Sequence, residues 1–390
     1  MKIAIIGAGA IGGFVGGQLA HAGEDVTFIA RGATLEALQT RGIRVTMSDG
    51  AEKFTRRVKA TADYSLAGPQ DVVMLAMKAH QVEAVASEVP KLFGPDTVVV
   101  PMQNGIPFWY FHKHGGALEG RPVTSVDPTG IIAKNIPCER IIGCVVYPAT
   151  ELVGAGEIKH IEGNRFPVGD LDGTESERVK RVAGCFARGG MQSPILTDIR
   201  AEMWLKLWGN MTFNPISALS RATLAGICQY APTRELARCM MEEAQAIANS
   251  LGITFRVPIE KRIAGAERLG HHKTSMLQDV EAGRALETDA LLGSVIELGR
   301  MTETPTPHLD AVFALTKLLE QSLAQARAPC AAAAGAPRDS PYNGAPGCAH
   351  EDHRHERSRV SRQTDPAQVR SGDAARSALF FRRRRRQGRA

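Results

Sequence analysis

A chain of 390 residues with 44% hydrophobic content is long enough to bury a sizeable core and to form two domains. The formal charge of +6 suggests nucleic acid as a partner, but the excess is confined to the end: from Pro329 onward 13 Arg, no Lys and 6 acidic residues give +7, so the rest is nearly neutral and no nucleic-acid partner is expected. No apolar run reaches the roughly 18 residues of a membrane span, so no membrane partner is expected either.

The first half alternates apolar runs with helical stretches. Lys2 to Ile6, Asp25 to Ala30, Asp71 to Met77 and Thr97 to Met102 are continuous apolar segments of the kind buried on both faces of a parallel sheet. They predict a doubly wound α/β domain of the Rossmann type. From Val123 to Gly173, "GIIA", "RIIGCVVYPAT" and "GEIKHI" read as further strands that extend this sheet. After "SPILTDI" the period becomes 3.6, with helices expected over 200–225, 233–251, 258–269, 275–281, 285–301 and 309–326. The expected organisation is therefore a Rossmann domain over 1–180, an all-helical substrate and dimerisation domain over 190–327, and a disordered Arg-rich tail over 328–390. Seven cysteines without CxxC spacing read as reduced thiols in a cytoplasmic protein.

The N-terminal "IIGAGAIGG" places Gly7, Gly9 and Gly12 in GxGxxG spacing directly after a strand. Gly7 permits the turn, Gly9 lets the backbone approach a pyrophosphate, and Gly12 lets the helix close on the strand; Ala10 and Ile11 complete the cofactor loop. The helix N-terminus then offers free N–H groups to phosphate. At the end of the second strand stands Arg31, where an NAD enzyme usually carries an acid on the ribose diol. A guanidinium there selects NADP through charge-assisted bonds to a 2′-phosphate, unless it is only a solvated strand-end residue. Lys78 and Asn104 fall at the ends of the next two strands, where ligands of open α/β sheets bind. Each reads either as a ligand contact or as a loop residue.

In "AEMWLKLWGNMTFNP", Lys206, Asn210 and Asn214 recur every four residues and form one polar stripe on an otherwise apolar helix. Reduction of a ketone needs a proton donor at the developing alkoxide, and a partly buried lysine suits that task. On periodicity alone Lys206 reads equally as a surface lysine whose stem covers apolar neighbours.

The stripe together with "GAGAIGG", "MKAHQ", "QNG" and "TSMLQDVEAGRALETDALLG" resembles the ketopantoate reductase (2-dehydropantoate 2-reductase) family over about residues 1 to 325. The resemblance implies NADPH-dependent reduction of a 2-oxo acid to D-pantoate in the pantothenate and coenzyme A pathway. It implies that Lys206 is the general acid and that Glu287 holds the substrate hydroxyl or orients the lysine. It further implies that Asn210 and Asn214 line the substrate pocket, that Ser275 binds the substrate carboxylate, that Arg31 and Lys78 contact the cofactor, and that Asn104 of the NG motif contacts both cofactor and substrate. Asp279 is expected to support helix packing. The competing readings are a paralogue acting on another 2-oxo acid and a dinucleotide-binding protein without turnover. "FWYFHKHGGALEG" after the NG motif departs from the family pattern and reads as a lid or an insertion near the pocket. His112 and His114 point to different faces of a helix, so no metal is assigned.

Overall fold

The apolar runs of the first half pair side by side because each presents two faces that need covering. The structure, a computed structural model, describes residues 1–334. The chain passes through β1 (Lys2–Ile6), α1 (Ala10–His21), β2 (Asp25–Ile29), α2 (Gly32–Thr40), β3 (Ile43–Thr46), β4 (Glu52–Thr55), β5 (Lys59–Thr61), α3 (Tyr64–Ala67), β6 (Gln70–Leu75), α4 (Ala79–Val82) and β7 (Phe93–Pro101). Five of these strands form a parallel sheet in the order β5-β2-β1-β6-β7. Connections leave β1 toward one side and reach β6 on the other, so the order reverses between β1 and β6 and a crevice opens at their carboxyl ends.

The next elements are α5 (Ile131–Asn135), β8 (Gly143–Cys144), β9 (Ala149–Gly154), β10 (Glu157–Glu162), β11 (Val168–Gly169) and α6 (Glu177–Arg188). Two expectations fail here. "GIIA" belongs to α5 and is no strand, because Asp127 accepts from the Ile132 and Ala133 amides and caps a helical turn. The later strands extend the parallel sheet only by a single bridge, Ile141 to Val99 of β7; β10 and β9 join β3 and β4 in a separate sheet of order β4-β3-β10-β9, and β8 pairs with β11. The α6 segment, which was not anticipated, is capped by Ser176, whose side chain accepts from Val179.

Helix α1 lies between the two sheets, and its glycines follow from that position. A Cβ at Gly13 would come 2.5 Å from Ile158 of β10, and one at Gly17 would come 2.6 Å from Val45 of β3. A helix with side chains at those positions would be too thick for the layer.

The second half is helical as expected: α7 (Ile199–Ser220), α8 (Leu224–Gln229), α9 (Ala231–Ser250), α10 (Ile259–Arg268), α11 (Ser275–Glu281), a π-helical turn (Asp289–Gly293), α12 (Ser294–Met301) and α13 (Pro307–Ala334). α13 continues past the boundary expected at residue 327, and the tail from residue 335, with its arginine run and histidines, lies outside the described residues. The aromatic segment after the NG motif is core and no lid: Trp109, Tyr110 and Phe111 are at most 2% exposed. Buried Arg200 of α7 fastens it by donating to the backbone carbonyls of Tyr110 and His112, and it also donates to that of Leu171.

Gly12 is where this framework tolerates least change. A Cβ there would overlap the Gly7 carbonyl oxygen and lie 2.8 Å from the Ala76 Cβ, and the backbone has no room to move away. Gly12→Ala is expected to destabilise the protein by about 3 kcal/mol, at the upper end of overpacking costs; an unchanged melting temperature would show that α1 does not close on β1 as described.

Candidate active site

Helix α7 starts under an Asp198 cap that accepts from the Ala201 amide, and it carries the polar stripe into the crevice. The Lys206 ammonium is partly buried and has two neutral acceptors: Asn104 Oδ1 at 2.6 Å and the Val146 carbonyl oxygen. Asn104 in turn donates through Nδ2 to Glu287 Oε2 at 3.3 Å, and Glu287 Oε1 accepts from the Ala79 amide at 3.4 Å. Lysine, asparagine and glutamate therefore form one relay built from β7's C-terminal turn, α7 and the segment before the π-helical turn.

The asparagine–glycine pair is more than a turn. Gly105 has φ +93°, and a Cβ there would overlap the Ala290 carbonyl oxygen, which also accepts from the Ile106 amide at 3.2 Å. Only glycine both adopts that φ without strain and lets the backbone approach so closely. The contact docks the turn onto the π-helical segment beside Glu287, which sets Asn104 between acid and lysine.

Burial pushes the Lys206 ammonium down to about 8, against the raising effects of Glu287 and then Cys144. A lysine in that range is still protonated at neutral pH and releases its proton readily. Beside it is a cavity of about 50 Å3, several times the roughly 10–15 Å3 a single water needs. Asn104, Lys206, Asn210 and Gln103 line its polar side; Phe108, Trp109, Ile132 and Met203 are on its apolar side.

The stripe divides in function along its length. Lys206 and Asn210 face the cavity, whereas Asn214 is buried beyond it and donates to Ser275 Oγ at 3.4 Å. Ser275 is free for this because Thr274, not Ser275, caps α11 by accepting from Leu277. Lys78 is paired within the protein: its Nζ is 2.5 Å from Asp279 Oδ2 and 2.8 Å from the Ala285 carbonyl, tying the segment after β6 to the helical half. Asp279, expected only to support packing, is that partner and also holds Arg284 at 2.8 Å. Sequence reasoning missed the Val146 carbonyl and Gln103, which bonds the Leu75 and Met77 carbonyls at 2.7 and 3.0 Å. A backbone acceptor leaves no residue-type signal, though Gln103 stands beside the motif that was recognised.

The loop over α1 suits a dinucleotide. Gly7 takes φ +96°, the helix begins without a side-chain cap or an acid in its first turn, and a Cβ at Gly9 would meet nothing within 4 Å. Open space over uncapped amides is what a pyrophosphate requires, and Gly9, Ala10 and Ile11 border it. Arg31 stands exposed two residues past β2, at the N-cap position of α2.

Comparison with known proteins agrees with this architecture. The profile of ketopantoate reductase PanE/ApbA matches residues 3–173, and that of its C-terminal part matches residues 198–320. The 2-dehydropantoate 2-reductase of Mesorhizobium japonicum is 51% identical over 82% of this chain and 98% of its own length. The chain belongs to the ketopantoate reductase family. The 2-dehydropantoate 2-reductase of Pyrococcus horikoshii is 30% identical over 82% of this chain and 98% of its own. A solved structure from Ralstonia solanacearum MolK2 is 42% identical, with a TM-score of 0.79, over 82% of this chain and 98% of that one. Like its relatives, this family member is an oxidoreductase acting on a CH–OH group with a nicotinamide dinucleotide.

The tie between Lys78 and Asp279 has a measurable consequence. Asp279→Ala leaves Lys78 without its charged acceptor and is expected to lower stability by about 1–3 kcal/mol. Adding Lys78→Met should recover part of that loss in thermal melts; strictly additive effects would show that the pair is not coupled.

Proposed function

We propose that the protein reduces 2-dehydropantoate to D-pantoate with NADPH, with Lys206 as proton donor, and thereby serves the pantothenate and coenzyme A pathway in the cytoplasm. One observation supports this reading above the others: a lysine with lowered proton affinity borders the cavity at the crevice, held by neutral acceptors and backed by Glu287. The bound nicotinamide supplies a hydride to the ketone carbon. Lys206 gives its proton to the ketone oxygen as that bond forms, so a 2-oxo acid, a hydride and a proton become a 2-hydroxy acid. Asn104 keeps the ammonium aimed by accepting from it, and Glu287 fixes which end of the Asn104 carboxamide faces Lys206. Asn210 is placed on the cavity wall to hold the substrate's hydroxyl or ketone, with Asn214 and Ser275 as a second polar pair further along the crevice.

In this reading residues 1–180 bind the cofactor and 190–327 bind substrate and support a homodimer. Arg31 takes the 2′-phosphate: it stands exposed just past the end of β2 where no acid is available for a ribose diol. Lys78 contributes to the cofactor side mainly by holding the crevice wall, given its pairing with Asp279. No helix among the described residues is long and apolar enough to cross a membrane.

The decisive assay follows NADPH absorbance with 2-dehydropantoate and a panel of other 2-oxo acids. Fastest turnover of 2-dehydropantoate is expected; preference for another acid makes the protein a paralogue, and no oxidation with any of them removes the reductase reading. Lys206→Ala should lower kcat by about 10²–10⁴-fold while sparing cofactor affinity. Because the donor must be protonated, the rate of reduction should fall as pH rises through about 8, whereas oxidation of the 2-hydroxy acid should rise. Glu287→Gln removes a charge that raises Lys206, so both limbs should move to lower pH; unmoved limbs would assign them to another group. Arg31→Ala should weaken NADPH far more than NADH.

A further inference from the structure

The Val146 carbonyl that accepts from Lys206 is itself held by a ring of contacts. It shares a planar peptide unit with the Tyr147 amide, so fixing either end of that unit orients the other. The Tyr147 amide donates to the Arg165 carbonyl at 3.2 Å, which turns the Val146 oxygen the opposite way. Pro148 follows and keeps Tyr147 in extended backbone.

The Tyr147 side chain completes the hold. Its hydroxyl donates to Glu202 Oε1 at 2.8 Å, and the Arg165 guanidinium donates to the same oxygen while lying over the Tyr147 ring, 5.3 Å from its centroid. Glu202 is on α7 four residues before Lys206, so the two side chains leave one helix face about 40° apart. Val146, Tyr147, Glu202 and Lys206 therefore close a loop through α7. Burial, and after it the bond to Glu202, pushes the Tyr147 hydroxyl well up, so it stays protonated and donating at working pH. Arg262 of α10 is the second cation acting on that hydroxyl, after Arg165; its guanidinium lies against Gly209, where a Cβ would come 3.0 Å from Cζ.

We propose that Tyr147 and Glu202 are positioning residues for proton transfer, which clamp the Val146 carbonyl onto the Lys206 ammonium; the inference rests on the reductase reading above. Stability alone gives the cluster little purpose, because the Arg165 side chain is 40% exposed and such an ion pair contributes about 0–1 kcal/mol. The charge of Glu202 is taken up by Arg165, and the groups whose charge reaches Lys206 are Glu287 and Cys144. Glu202 thus acts on the lysine through where it holds Tyr147, not through its field. An acceptor on the ammonium favours the charged form. A carbonyl that drifts away leaves burial to lower the lysine further and leaves its proton less well aimed.

The test follows reduction of 2-dehydropantoate by NADPH across pH. Tyr147→Phe removes one hydroxyl and no charge. It should lower kcat about 3–10-fold, the effect of one hydrogen bond, with KM for NADPH and the melting temperature nearly unchanged. The limb that wild type shows near pH 8 should move about one pH unit lower. Glu202→Ala should behave in the same way, and the double variant should be no worse than either single one. Glu202→Gln, which keeps an oxygen for the Tyr147 hydroxyl, should retain most of the rate and the wild-type limb. A limb that stays in place in Tyr147→Phe, or moves up, overturns the proposal and leaves the reductase reading intact. Wild type without turnover on any 2-oxo acid removes that reading, and competitive acetylation of Lys206 across pH, read by mass spectrometry, then decides: a lower titration in Tyr147→Phe supports the clamp, and coincident titrations overturn it.

Discussion

The interaction on which the site depends is the hold on the Lys206 ammonium by acceptors that carry no charge. A carboxylate in direct contact would favour the ammonium and keep its proton; burial without acceptors would expel the proton altogether. Asn104 Oδ1 and the Val146 carbonyl lie between these extremes, and Glu287 acts through the Asn104 carboxamide. The balance brings the lysine to about 8, where it can serve either direction of a hydride transfer. Three distant stretches of chain must meet for this, which is why the surrounding contacts are so constrained. Gly105 docks on Ala290, and β8 ends at a point where the next backbone carbonyls face α7.

Such a relay works only if the two halves hold their distance. Lys78 and Asp279 fix one side of the crevice. On another, Glu297 of α12 accepts from the amides and hydroxyls of Thr124 and Ser125. Burial pushes the Glu297 carboxyl up, but those hydrogen bonds outweigh it and hold it below the usual carboxylate range. Both ties join a charged side chain of one half to the other half, near the site and not at its centre. They leave the cavity itself lined by neutral amides, one lysine and apolar groups.

Much of this was legible because the signals were periodic or local. Continuous apolar runs gave the parallel strands β1, β2, β6 and β7, and the glycine spacing gave the turn into α1. The four-residue recurrence of Lys206, Asn210 and Asn214 marked the site's wall before any partner was visible. What failed was non-local. Whether "GEIKHI" extends one sheet or supplies another depends on β3, its partner, which lies about a hundred residues earlier in a short segment. The aromatic run at 108–111 reads as a lid or insertion because its polar neighbours His112, Lys113 and His114 follow at once, yet Arg200 fastens it into the core. Lys78 was assigned by its place at a strand end, and that place was right; its partner, 201 residues away, could not be read from spacing.

Helix α7 concentrates the conflicts between local preference and global need. It carries a glycine and a proline in its interior, Gly209 and Pro215, and polar side chains on a buried face. Each of these lowers intrinsic helix stability. A sequence selected for the helix alone would have removed them, so their placement is informative. Gly209 admits a guanidinium, the polar stripe faces the crevice, and Pro215 directly follows Asn214, whose carboxamide turns to Ser275. Deep packing supports the helix on its other side: Trp204 and Trp208 are fully buried, and Trp208 donates to the Met241 carbonyl at 2.8 Å. Stability supplied on the apolar side is what allows the other side to depart from good helix chemistry.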